Sequence, residues 1–189
     1  LWVTDTARDA FSIDTAYDEV NRIDLGADEI PHFGFPYCVG ADNIPDLVGD
    51  FDCAMATTPI MTFRSNSTPF GLHHYEGDLF ENISDRLLIT LLGSNNSRYI
   101  AGHAIVSVAI TEDSYQYETI VPVDNVTNSL PSRWQQPDGL NTLLPQAEFV
   151  NNQAGGIFPH LPYDIVTSPD GWLYFSVQGK GLYVLRPRT

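Results

Sequence analysis

Residues 163–185, YDIVTSPDGWLYFSVQGKGLYVL, constrain the fold more than any other stretch of this chain, because they hold a whole supersecondary unit with its punctuation. Tyr163 to Thr167 alternates as a strand does, and Ser168-Pro169-Asp170-Gly171 supplies a turn, with proline preset for the bend and glycine free to take positive φ. Trp172 to Val177 is aromatic and β-branched, Gly179-Lys180-Gly181 turns again, and Leu182 to Leu185 reads as a third strand. Three strands in so short a span form an antiparallel meander, the pattern of a β-propeller blade. Such a unit cannot bury both of its faces alone, so it requires neighbours of its own kind.

The rest of the chain supplies them. Leu1 to Asp5 reads like Trp172 to Ser176, so it is expected to be the second strand of a blade, with residues 18–24 as its return. Between them, Thr6 to Tyr17 is an acidic stretch too long for a hairpin turn and is a candidate functional loop. Pro69 to Tyr75 reads as an inner strand with Phe70, Leu72 and His74 on one face; Arg86 to Leu92, His103 to Ile110 and Tyr117 to Val123 complete a second blade. The matched positions Val3, Leu88 and Leu173 are spaced 85 residues apart each time, which for blades of about 40–50 residues means heavy insertions. The expected organisation is one all-β, partial β-propeller domain over residues 1–189. Its blade remnants lie at about 1–30, 66–123 and 157–189, with a loop-rich segment at 31–65 and a long connection at 124–156; around 40–66 part of a hidden blade has room. Propellers close with about four to eight blades, so about three blades imply that the remaining half of the ring is the chain's first partner.

Composition narrows the function. The chain carries 24 acidic against 9 basic residues, and Lys180 is its only lysine. An acidic surface of this kind repels phosphate backbones and anionic lipid, so nucleic acid is excluded as a partner. No apolar run approaches the length of a membrane span. Cys38 and Cys53 sit close together in the loop-rich segment; pairing them would stabilise the fold by about 3 kcal/mol, and two buried free thiols are the alternative. Asn66, Asn82, Asn95 and Asn125 each begin an Asn-x-Ser/Thr sequon, where about one or two would arise by chance. Together these features predict a secreted, extracellular glycoprotein.

Several motifs carry a family resemblance. TDTARDAFSIDTAYDEVNRID followed by HFGFPYCVG resembles the "Thr-Asp-Asn-Gly-Arg-Asp … Asp-Glu-Leu-Asn" and "Tyr-Gly-Trp-Pro-Tyr-Cys" stretches of the soluble quinoprotein sugar dehydrogenases, sorbosone and fungal pyranose dehydrogenases included. Ser65 to Tyr75 resembles "His-Ser-Ala-Pro-Leu-Gly-Leu-x-Phe-Tyr", residues 92–96 resemble "His-Gly-Ser-Trp-Asn", and Leu161 to Asp164 resembles "Arg-Pro-Val-Asp". The resemblance covers the carboxy-terminal half of the family's propeller. It implies a six-bladed ring that binds pyrroloquinoline quinone and Ca²⁺ and oxidises a sugar, a histidine taking the substrate's proton as hydride moves to the quinone. It further implies that carbonyls of Thr6, Ala7 and Arg8 hold the cation, and that Asp18 and Glu19 lie beside this or a second calcium site, hard oxygen donors that suit Ca²⁺. A plain solvated acidic loop is the alternative.

The chain also departs from the family. The family's catalytic base falls before the segment matching Leu1, so the catalytic residue is unknown here. Leu92 stands at the motif's histidine and Leu161 at its arginine, which removes a cationic partner for a tricarboxylate cofactor. Arg98 and His160 are the candidates to replace it as cofactor contacts. His73 and His74 are adjacent and point to opposite faces of a strand, without further ligands at zinc spacing. Three readings follow: a quinone-dependent sugar dehydrogenase, an inactive structural or adhesive glycoprotein on the same fold, and a plain sugar-binding propeller.

Overall fold

The computed structural model describes residues 1–7, 17–39, 44–45, 49–93, 101–110, 117–121, 158 and 160–187. Among these, all regular structure is β apart from two single turns of 3-10 helix, at Cys53–Met55 and Glu81–Ile83. The first sheet has the order β1 (Trp2–Asp5), β2 (Tyr17–Arg22), β5 (Met61–Arg64). A short hairpin of β3 (Cys38–Val39) and β4 (Ile44–Pro45) lies between β2 and β5 in the sequence. The second sheet is the four-stranded meander β6 (Pro69–Tyr75), β7 (Arg86–Leu91), β8 (Ala104–Ala109), β9 (Tyr117–Val121). The third is β10 (Pro162–Thr167), β11 (Leu173–Val177), β12 (Gly181–Leu185).

The second sheet is the filling between the other two, and its sequence shows why. On β7, Leu87, Ile89 and Leu91 join Val20, Met61 and Phe63 of the first sheet in one core, whereas Leu88 turns the other way to meet Ile165, Leu173, Phe175 and Val177 of the third. On β8, Ala104, Val106 and Val108 face the first core and Ile105 the second. With both faces buried, these strands read as near-continuous apolar runs instead of alternating. Each fully buried Leu, Ile, Val or Phe contributes about 1.5–3 kcal/mol of transfer free energy.

Two details differ from the sequence reading. Met61–Arg64 is a strand, antiparallel to β2 with Val20 opposite Met61 and Asp18 opposite Phe63, so this part of the 31–65 segment completes the first sheet and forms no separate blade. On β6 the pairing register shifts between Pro69 and Leu72, which breaks the simple alternation: Phe70 is exposed while Leu72 packs against the first core.

Strand directions set the common end of the molecule. β6 and β10 both begin there, and β1, β7 and β11 end there: Leu92 N–H donates to the Thr68 carbonyl and Gln178 N–H to the Leu161 carbonyl, while Asp18 accepts from both Ala7 and Thr68. β1 therefore runs in the sense of β7 and β11, the second strands of their sheets, as its sequence predicts. The far face of the third sheet carries Val166, Leu182 and Val184, all exposed, with Val166 and Val184 aligned through Tyr174.

Candidate functional site

The mouth formed at this common end is organised by a buried carboxylate. Asp18 is fully buried; its Oδ1 accepts the Ala7 N–H at 3.0 Å and its Oδ2 the Thr68 N–H at 2.7 Å, and the Ser67 N–H also points to it. One side chain thus fastens the end of β1 and the β5–β6 connection to β2. That connection is a buried polar loop, Ser65-Asn66-Ser67, with left-handed backbone at Asn66 (φ 67°) and Thr68 (φ 51°). Such conformations persist in non-glycine residues where the surroundings over-determine them. Here Gly93 N–H donates to the Ser67 carbonyl at 2.9 Å, and a Cβ on Gly102 would come within 2.4 Å of the same oxygen. His103, buried and at φ 54°, places Nδ1 3.2 Å from the His160 carbonyl, so Nδ1 carries the proton.

Glu19, the next residue along β2, points to the opposite face of its sheet, where it lies across from Asp5 on β1. Asn21 Nδ2 donates to its Oε2 at 3.4 Å, and Asn21 Oδ1 is buried without a hydrogen-bond partner, as is Ser65 Oγ. Burial pushes the Asp18 carboxyl up to about 6 despite its three backbone donors. Burial also pushes the Glu19 carboxyl up to about 7, opposed by Asn21 and assisted by the negative charges of Asp5 and Asp18.

These positions bear on a cation. Because Asp18 and Glu19 point to opposite faces, they do not close on one ion, and both Asp18 oxygens already accept backbone N–H groups. Among the described residues no cluster of three His, Cys, Asp or Glu side chains has metal-binding geometry. Thr6 is exposed and Ala7 half-buried at the end of β1; Arg8 lies outside the described residues, as do Arg98, Asn95 and Asn125. Buried side-chain oxygens without a hydrogen-bond partner among the described residues include Asn21 Oδ1, on the face of Glu19, and Ser65 Oγ.

The cofactor positions are apolar. Leu161 is 7% exposed, its backbone pinned by Gln178, and Leu92 is half-buried beside the Thr68 carbonyl. His160 packs against Phe158 and Tyr183, and partial burial, then the Lys180 ammonium, lower its imidazole below the usual value. It offers a neutral ring. At the two motif positions leucine supplies no cationic partner for a tricarboxylate quinone, and the cation whose charge reaches His160 is the Lys180 ammonium.

What else the mouth supplies was not evident in the sequence. Pro69-Phe70 and Pro162-Tyr163 open the inner strands β6 and β10, and the Phe70 and Tyr163 rings meet edge to face at 5.1 Å. Thr90 of β7 locks them together: its Oγ1 accepts the Gly71 N–H at 2.8 Å and donates to the Tyr163 carbonyl at 2.7 Å. Gly71 permits this approach, since a Cβ there would lie 2.8 Å from both the Tyr163 carbonyl oxygen and Asp164 Oδ1. Further along, His73 Nε2 and Thr167 Oγ1 are 2.6 Å apart across the same two strands.

Away from the mouth, Cys38 and Cys53 form a disulfide, closing a loop of 15 residues beside the stacked rings of His32, Phe51 and Tyr37. Of the sequons, Asn82 is exposed on its 3-10 turn. Asn66 is only 7% exposed and belongs to the loop that Asp18 holds.

Sheets stacked face to face, each beginning or ending on the same mouth, define a β-propeller architecture. No protein-family model and no curated protein matches the chain. Among solved structures, a glucose dehydrogenase aligns over 100% of this chain and 40% of its own, with TM-score 0.56 and 14% identity. A Trichoderma reesei protein of Carbohydrate-Active Enzymes family AA12 aligns over 98% of this chain and 49% of its own (TM-score 0.58, 17% identity). The PQQ domain of a Coprinopsis cinerea pyranose dehydrogenase, in its holo form, aligns over 90% of this chain and 44% of its own (TM-score 0.53, 16% identity). The chain thus has the fold of soluble sugar dehydrogenases and spans less than half the length of these proteins. No helix among the described residues is long and apolar enough to cross a membrane.

Proposed function

We propose that this chain forms part of a secreted, sugar dehydrogenase-like propeller that oxidises a sugar with pyrroloquinoline quinone and Ca²⁺. The observation that carries this reading is the fold: nearly the whole chain superposes on sugar dehydrogenases, one of them a holo PQQ domain, and a related AA12 structure is described as its calcium form. The ordered motifs from Thr4 to Asp164 support it, and the Cys38–Cys53 disulfide suits an oxidising compartment. Ca²⁺ would draw on Glu19 and Asn21 oxygens and on carbonyls from Thr6 to Arg8, while Asp18 holds the Ala7 N–H. The quinone, when bound, would accept hydride from the sugar. Its cationic partners would come from Arg8, Arg98 or the rest of the ring, because Leu92 and Leu161 supply none.

Those two leucines favour a second reading, a propeller that has kept sugar recognition or a structural extracellular role and lost the redox chemistry. Calorimetry on the intact protein separates the two. Micromolar binding of the quinone that depends on Ca²⁺ supports the dehydrogenase; no quinone binding with or without Ca²⁺ leaves the second reading.

A further inference from the structure

We propose that the disulfide-stapled loop between β2 and β5 is a docking surface for a basic protein partner, with Phe35 and Met55 as its apolar centre and the carboxylates around them as its rim. Docking there requires neither the quinone nor the redox chemistry.

Two passages of this loop run antiparallel and are tied at both ends. The Thr57 N–H donates to the His32 carbonyl at 2.8 Å, and the Cys38–Cys53 bond joins the passages again. Between the two ties lie Phe35 on one passage and Met55 on the other, 80% and 75% exposed. The antiparallel run brings these two residues level with each other. The neighbouring rings behave differently: Tyr37 and Phe51 are half-buried and stacked on one another at 5.4 Å, and His32 stacks on Phe51 at 4.5 Å. The loop therefore packs a small aromatic cluster of its own and still leaves a phenyl ring and a thioether in water. A lone exposed apolar side chain is ordinary, but two large ones side by side on a covalently fixed loop have the composition of an interface centre.

The loop stands clear of the packed sheets. Thr4 of β1 reaches the inner strand β6, where its hydroxyl donates to the Phe70 carbonyl, so in the order β1-β2-β5 the connection from β2 to β5 leaves on the outer side of the sheet. The core of the first sheet is filled by Val20, Met61 and Phe63, without Phe35 or Met55.

Charge sets the kind of partner. Between Arg22 and Arg64 the sequence holds seven acidic residues and no lysine or arginine. Asp24, Asp28, Glu29, Asp50 and Asp52 among them are exposed. Asp52 also caps the 3-10 turn that carries Met55, its Oδ1 accepting the Ala54 N–H at 3.0 Å. Carboxylates around an apolar centre attract lysine and arginine, speed encounter with them, and repel acidic proteins and anionic lipid. The occupant is a protein segment that lays apolar side chains on Phe35 and Met55 and basic ones around them. The disulfide and the ring stack hold the loop in shape beforehand, so little ordering opposes binding.

The test measures, by fluorescence anisotropy, the binding of a labelled amphipathic peptide of leucine and lysine to the intact protein. Two further peptides, one with glutamate for every lysine and one with serine for every leucine, complete the set. The leucine-lysine peptide is expected to bind at least about tenfold more tightly than either. The double variant Phe35→Ser/Met55→Ser should weaken it at least about tenfold. Asp28→Asn/Glu29→Gln/Asp50→Asn should weaken it at least about threefold and flatten its salt dependence. Leu182→Ser, on the far face of the third sheet, should leave it within about twofold of wild type. No binding of the leucine-lysine peptide, a folded Phe35→Ser/Met55→Ser protein that binds it like wild type, or an equal loss in Leu182→Ser overturns the proposal. So do phosphatidylcholine vesicles that sediment with wild type and not with Phe35→Ser/Met55→Ser, a result that assigns the loop to a lipid surface instead.

Discussion

Replacing Thr90 with valine tests how the inner strands are joined. Thr90 is fully buried, and its hydroxyl serves two backbone groups from different blades, the Gly71 N–H and the Tyr163 carbonyl. Valine keeps the volume and the packing and removes both hydrogen bonds. Each backbone group left unpaired in the interior costs about 1–3 kcal/mol, so Thr90→Val should destabilise the protein by about 2–6 kcal/mol. With a urea dependence of about 2–3 kcal/mol per molar, the unfolding midpoint should fall by about 0.7–3 M. Thr90→Ser is the control, since it keeps the hydroxyl and loses one methyl group, about 1 kcal/mol. Urea unfolding of the intact protein at 25 °C reads both. A valine variant within about 0.5 kcal/mol of wild type, or less damaging than serine, would refute the idea that this hydroxyl joins the blades.

Three further outcomes are expected. Asp18 and Glu19 have carboxyl groups raised to about 6 and about 7 in the folded state. The stability they contribute is therefore fully present below the unfolded carboxylate range and is lost as pH rises through those values. The unfolding midpoint should rise on going from pH 8 to pH 5, with a flatter slope in Glu19→Gln, and a midpoint that falls over this range would contradict the burial argument. Reducing the Cys38–Cys53 bond, which closes a loop of 15 residues, should cost about 3 kcal/mol, measured by urea unfolding with and without reductant. Intact-mass and glycopeptide analysis of secreted protein should find a glycan on Asn82 and none on Asn66; occupancy at Asn66 would mean that the Asp18-bound loop is built differently.

The blade at residues 163–185 was legible because its information is local. The Ser168–Gly171 turn forms as read, with Gly171 at φ 84° and the Ser168 N–H donating to the Trp172 carbonyl at 2.8 Å, and the strands on either side follow from composition alone. β5 was hidden because its four residues are too few to show a period, and its partner β2 ends about forty residues earlier with the disulfide segment between. Asp18 could be picked out as a functional candidate but not given its role, since the groups it holds are backbone amides, which the sequence writes identically everywhere. The register shift in β6 had the same effect on Phe70. Alternation assigned it to one face with Leu72 and His74, and only the bulge shows it meeting Tyr163. A sequon carries no statement of depth, so Asn66 and Asn82 looked equivalent.

The outward face of the third sheet has a practical consequence. Val166 and Val184, aligned through Tyr174, together with Leu182 at 67% exposure, put aliphatic side chains in water on a sheet whose last strand, β12, has no partner on its far side among the described residues. A flat apolar face beside an open edge is a template for strand addition. Expressed without a neighbour to cover it, this region is where misassembly should begin, and charged substitutions at Leu182 and Val184 are the first changes to try when the isolated segment must be kept in solution.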